Sequence, residues 1–188
     1  MKKHEIKCTE DNVIFKWPEK QEELKEGSIY LTKHLSKDVG WAECVSSGPD
    51  CLVQPGDSLL LSRRVTTMNL PINGETLNNT SDKSVMAFKS KGDNTLKCTH
   101  KTFLYERITE PEERTESGIY LIKKEVTKEF SPIWVKVVAA GPETGVQAGD
   151  EVMIAYKGDM YTIKVEVDGE LKTLHNAGSE EIICFRRN

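Results

Sequence analysis

The chain repeats itself, and that repeat limits its fold more than any other feature. The run Gly48-Pro49-Asp50-Cys51-Leu52-Val53-Gln54-Pro55-Gly56-Asp57 aligns with Gly141-Pro142-Glu143-Thr144-Gly145-Val146-Gln147-Ala148-Gly149-Asp150. At the same spacing, Trp41-Ala42-Glu43-Cys44-Val45 falls on Trp134-Val135-Lys136-Val137-Val138. Upstream, Ser28-Ile29-Tyr30-Leu31 matches Gly118-Ile119-Tyr120-Leu121, and Val13-Ile14-Phe15 matches Phe103-Leu104-Tyr105. Downstream, Val85–Lys89 matches Ile182–Arg186. Collinear matches in one order indicate a tandem duplication with its boundary in the polar stretch Ser90–Asn94, which divides the chain into residues 1–92 and 93–188. A copy of about 90 residues supports one small core of marginal stability, so a contact between the copies is expected to stabilise both.

Short apolar runs bounded by Gly, Pro, Asn and Asp read as strands. They are predicted over Asn12–Lys16, Ser28–Thr32, Trp41–Ser46, Ser58–Ser62 and Ser84–Phe88 in copy one. In copy two they fall at Thr102–Glu106, Gly118–Lys123, Ile133–Ala139, Glu151–Tyr156, Tyr161–Val167 and Ile182–Arg186. The Val-Gln-x-Gly-Asp segments read as tight turns entering a strand, with Gly supplying positive φ and Asp bonding the nearby backbone. Asn73-Gly74 and Asp168-Gly169 are hairpin signals. No long segment carries an amphipathic helical pattern, so the expected class is all-β, each copy a small barrel or sandwich.

Two segments break the strand pattern. Trp17–Glu26 and Arg107–Glu116 are rich in charge, contain one Pro each, and precede Ile-Tyr-Leu in both copies. Segments this polar bury too little surface to offset ordering entropy and are expected to be mobile. They read either as binding loops or as solvated connections. Ile-Tyr-Leu itself reads either as a core strand or as a contact motif.

This ordered set, found twice, resembles the GroES-type ten-kilodalton co-chaperonin family. The set is a first strand, a polar loop, Ile-x-Leu, a strand ending in Gly, a Val-x-x-Gly-Asp turn and a final apolar strand. The match spans roughly residues 10–89 and 100–187. It looks like the tandem two-domain form of chloroplasts or a divergent bacteriophage form. The resemblance implies two GroES-like small β-barrels in tandem, not an enzyme and with no cofactor of its own. It implies a lid that binds an ATP-loaded GroEL-type chaperonin ring, encloses unfolded substrate protein and assembles into a homo-oligomeric ring. The implied chaperonin contacts are Gly27, Ile29, Tyr30 and Leu31 in copy one, and Gly118, Ile119, Tyr120 and Leu121 in copy two. The implied location is cytoplasmic, the host cytoplasm for a phage protein or the plastid stroma for a plant one. The residues suit this role: aliphatic anchors at i and i+2 of an extended segment face one side.

The sequence also departs from the family. The central residue of each tripeptide is Tyr, where the family has a small aliphatic. Gly48–Val53 and Gly141–Val146 are short where the family often carries a roof hairpin, which implies an open dome. Val65–Asn78 reads as extra residues in copy one, a replacement lining. The stretch after Leu121 is longer than that after Leu31.

Composition closes off other classes. Lys plus Arg is 26 and Asp plus Glu is 30, a net charge of −4, and the pI is near 5.7, so no non-specific nucleic-acid surface is expected. No apolar run is long enough for a membrane span. The opening Met1–Asn12 has no apolar h-region, so no signal peptide is expected. Five cysteines in 188 residues do not make a disulfide scaffold; a reducing compartment is expected, in which Asn78-Asn79-Thr80-Ser81 is a sequon in name only. Cys98-Thr99-His100 and Cys44/Cys51 lack the paired spacing of a zinc site. Nucleophile-elbow and Walker motifs are missing, and the acid doublets Glu22-Glu23, Glu112-Glu113 and Glu180-Glu181 read as solvated. Medium-chain alcohol dehydrogenases carry a GroES-like domain, but they also need a Gly-x-Gly-x-x-Gly unit, which this sequence lacks. The second function class is a non-enzymatic structural or assembly scaffold that binds no chaperonin.

Overall fold

The computed structural model describes residues 6–18, 25–26, 29–30, 39–62, 65, 67–108, 132–155, 162–167 and 169–187. Their strands, in chain order, are β1 (Asn12–Lys16), β2 (Lys25–Glu26), β3 (Ile29–Tyr30), β4 (Val39–Ser47), β5 (Ser58–Ser62), β6 (Met68–Ile72), β7 (Glu75–Ser81) and β8 (Val85–Lys89). They continue with β9 (Lys97–Cys98), β10 (Thr102–Arg107), β11 (Pro132–Ala140), β12 (Glu151–Ala155), β13 (Thr162–Val167), β14 (Glu170–Gly178) and β15 (Ile182–Arg186). Single 3-10 turns at Asp82–Ser84 and Ser179–Glu181 lead into β8 and β15. The protein is all-β: the described residues contain no α-helix.

Two antiparallel sheets carry the fold. One has the order β6-β7-β1-β4-β5-β8-β9, the other β13-β14-β10-β11-β12-β15. Apart from β9, the second order repeats the first strand for strand. The irregularities repeat too. Register shifts fall between Ile14 and Phe15 and between Leu104 and Tyr105. A second pair falls between Leu60 and Leu61 and between Met153 and Ile154. Each register shift thus falls at the same place in both halves.

The turn that drew attention in the sequence is built alike in both halves. Gly56 at φ +92° and Gly149 at φ +95° take the left-handed backbone expected of them. The Asp57 carboxylate accepts the Gln54 N–H at 2.8 Å, and the Asp150 carboxylate accepts the Gln147 N–H at 3.0 Å. Their other oxygens differ in partner: Asp57 accepts the Lys91 N–H at 3.1 Å, while Asp150 accepts the Arg187 guanidinium at 3.0 Å. The Arg187 bonds, working against partial desolvation, hold the Asp150 carboxyl below its ordinary range.

Three apolar clusters form the interior. Val13, Phe15, Ala42, Leu59, Leu61 and Val85 centre the first half. Phe103, Tyr105, Val135, Val137, Val152 and Ile154 centre the second. The third joins the halves: Leu60, Met86 and Ala87 pack in one cluster with Leu104, Ile163 and Leu174. Here β9 leaves the second copy's sequence and pairs with β8, Ala87 opposite Cys98 and Phe88 opposite Lys97. The expected contact between the copies is thus a continuous core.

Two expectations are corrected. The sheets are open, where closed barrels were expected. Among the described residues no strand bridges β6 to β8 or β13 to β15. In the first half the outer edge of β8 already bonds to β9, so its backbone groups are not available for closure. Second, Val65–Asn78 is not extra sequence. It holds most of the hairpin β6–β7, which turns at Asn73-Gly74 and stands where β13–β14 turns near Gly169. Asn73 and Gly74 both have positive φ, as a two-residue hairpin turn requires. The hairpin escaped the strand search because Pro71 and exposed Met68 and Asn69 blunt its pattern. The predicted strand Gly118–Lys123 lies outside the described residues.

Gly48 and Gly141 are required by close approach. A Cβ on Gly48 would collide with the Glu10 carbonyl, and one on Gly141 with the carbonyls of Thr99 and His100. Gly74 and Gly169 face open space. Gly48→Ala or Gly141→Ala is expected to cost about 3 kcal/mol or more in urea unfolding, because backbone must move. Gly74→Ala is expected to cost only about 1 kcal/mol, from its left-handed φ.

Candidate functional site

The two candidate loops leave the fold at equivalent places. In the first half the chain departs after β1 and returns at β4, and these strands pair with Lys16 opposite Glu43. In the second half it departs after β10 and returns at β11, with Glu106 opposite Lys136. Opposite charges thus face each other in register at each root with the signs exchanged, while the ion pairs formed there run to the next strand, Lys16 to Glu75 and Glu106 to Lys172, each at 3.2 Å. At the first root Phe15 and Trp17 meet edge to face, ring centroids 5.4 Å apart. Trp17, Pro18, Trp41 and Ser58 help line an open hollow beside it.

Of the candidate contact residues, Ile29 and Tyr30 lie in described backbone. They form β3, which pairs with β2 as a two-stranded sheet of its own, Glu26 opposite Ile29 and Lys25 opposite Tyr30. Ile29 and Tyr30 therefore lie in a strand pair separate from the seven-stranded sheet. Gly27, Leu31, Gly118, Ile119, Tyr120 and Leu121 lie outside the described residues.

The other residues weighed for chemistry are placed as structure. Cys44 and Cys51 sit in the first core and Cys98 in the shared one. Burial pushes the Cys44 and Cys98 thiols up to about 12 and raises Cys51, so all three are poor nucleophiles and poor ligands at neutral pH. Among the described residues no three His, Cys, Asp or Glu side chains gather as a metal site, and no helix is long and apolar enough to cross a membrane. Trp41 packs on the shared core with Lys89 Nζ 5.8 Å from its ring, while its repeat partner Trp134 carries the Arg186 guanidinium at 4.6 Å.

A polar group that the sequence analysis did not single out bridges the halves. His100 places Nε2 2.7 Å from Asp82 Oδ2 and Nδ1 2.7 Å from Glu143 Oε1. Asp82 is fully buried and also accepts the Leu52 N–H at 3.0 Å. His100 has positive φ (41°), as does Glu10 (53°) at the matching place in copy one. The signal lay in the repeat: His replaces Glu at this position, and a histidine donates to two carboxylates at once only as the imidazolium. Partial desolvation lowers the His100 pKa, but the bonds and charges of Glu143 and Asp82 together outweigh it and raise it.

The sequence matches no protein-family model and no curated protein.

The His100 pKa is raised on folding, so its contribution is complete below the ordinary value of 6.5 and is lost as pH rises through the elevated one. Denaturant midpoints measured across that window are expected to fall with pH for the natural chain. In His100→Gln the fall should be smaller, and the variant should be less stable on the acid side.

Proposed function

We propose that the chain is a co-chaperonin lid of the GroES type, built from two GroES-like β units. On this reading it binds an ATP-loaded GroEL-type chaperonin ring through its two loops and helps enclose unfolded substrate protein. The observation that carries the reading is the repeated exit of both loops from matching strand pairs, with the Ile29–Tyr30 backbone held in a hairpin apart from the main sheet. An apolar tripeptide with anchors at i and i+2 of an extended segment suits insertion into a groove on a partner.

The energetics agree with a contact that must be released. Burial of one aliphatic anchor contributes about 1.5–3 kcal/mol. Ordering of a loop on binding costs several kcal/mol, which keeps the affinity of one loop modest. Several loops presented on one assembly then bind with avidity, because the later contacts are intramolecular. ATP chemistry belongs to the partner; the chain itself acts as a binding protein without a cofactor, in the compartment where the chaperonin resides.

Co-elution with a purified bacterial chaperonin, with and without ATP, tests the reading. Binding is expected only with nucleotide, and each of Ile29→Ser, Leu31→Ser, Ile119→Ser and Leu121→Ser should weaken it about 10–100-fold. Absence of binding under every nucleotide condition would overturn the lid reading and favour an assembly scaffold. The four-Ser variant should keep the far-UV spectrum of the natural chain.

A further inference from the structure

The open hollow beside the first loop root has a counterpart in the second half that is already filled. There the Arg186 guanidinium lies 4.6 Å from the Trp134 ring centroid, and its Nε donates to the Glu151 carboxylate at 2.7 Å. Ring, carboxylate and cation come from three adjacent strands, β11, β12 and β15.

Position for position, the first half keeps the ring and loses the close cation. Trp41 stands for Trp134, Ser58 for Glu151 and Lys89 for Arg186. Lys89 gives its Nζ to the Glu166 carbonyl of the second half at 3.0 Å. It stays 5.8 Å from the Trp41 centroid, near the outer limit of a cation–π contact. Trp41 and Trp17 instead line a hollow of about 400 Å³. The second ring is particular to this half, because Arg107 stands in the place of Trp17 in the other.

The carboxylate has shifted by one strand. Glu43 on β4 faces Ser58 on β5 in register, and both line the hollow. Glu43 is exposed and makes no ion pair among the described residues. Lys16, opposite it on β1, gives its ammonium to Glu75 at 3.2 Å instead. The hollow thus holds two aromatic rings and an unpaired carboxylate.

We propose that this hollow binds an arginine side chain of a partner polypeptide, its guanidinium against Trp41 and paired with Glu43. The second half identifies the occupant, since it fills the matching place with an arginine of its own. Arginine suits the site better than lysine, because a planar guanidinium stacks on an aromatic face while its N–H fork bonds a carboxylate. Only the first loop root offers the site, so the two halves meet a partner unequally. This inference stands on the hollow alone and not on chaperonin binding.

Heteronuclear NMR of the full-length chain tests it through the indole N–H signals of the three tryptophans, assigned with Trp17→Phe and Trp134→Phe. The probe is the end-capped peptide Gly-Arg-Gly, and the control carries citrulline, the neutral isostere of arginine. The arginine peptide is expected to shift the Trp17 and Trp41 signals saturably, with half-saturation at roughly 10 mM, and to leave Trp134 in place. The citrulline peptide should shift none of them. Glu43→Gln should weaken binding about 10-fold at an unchanged thermal midpoint, because Glu43 is exposed and unpaired. Equal shifts with the citrulline peptide would overturn the proposal. So would undiminished affinity in Glu43→Gln, a Trp134 shift as large as that of Trp41, or no shift at peptide concentrations about tenfold higher.

Discussion

The apolar contact between the two halves is the interaction on which the rest of this structure depends. Leu60, Met86 and Ala87 from the first half share one buried cluster with Leu104, Ile163 and Leu174 from the second. A β unit of this size buries only about 60% of the surface its unfolded chain exposes and is marginal alone. The shared cluster removes a further apolar face of each unit from water. It also explains why β9 crosses over: pairing on β8 satisfies an edge and carries Leu96 and Cys98 into the same cluster. Polar groups at its rim follow the same line, with His100 tying Asp82 to Glu143 and Lys89 Nζ donating to the Glu166 carbonyl at 3.0 Å.

Much of this was legible in the sequence because the repeat doubled every signal. Asn12–Lys16, Ser58–Ser62 and Ile182–Arg186 form strands with the bounds their apolar runs indicated. The Val-Gln-x-Gly-Asp turns were legible because Gly and Asp have specific backbone duties there, and both duties are met. Strand β14 was not legible beyond its turn: Lys172, Thr173, His175 and Asn176 carry no apolar alternation, and pairing to β13 and β10 orders them instead. The open form of the sheets was equally hidden. Local pattern specifies strands, but closure depends on which edges are taken by distant segments, and β9 is such a segment.

The repeated scaffold and its unlike ends have different consequences. The bulges, turns and strand order are the same in both halves, which fixes where each loop departs and returns. The Asp at each turn shows how a conserved geometry admits a new partner: a backbone N–H at Asp57, an arginine at Asp150. What differs between the halves is concentrated at the junction. Among the described residues the β8 edge of the first half is covered by β9, while β15 pairs only with β12.

Scanning calorimetry of the full-length chain tests the central claim, that the two repeats form one cooperative unit through their shared core. A single transition is predicted, with equal calorimetric and van't Hoff enthalpies at a protein concentration held constant. Two resolved transitions, or a van't Hoff enthalpy near twice less than the calorimetric one, would show the halves unfolding independently and contradict the account.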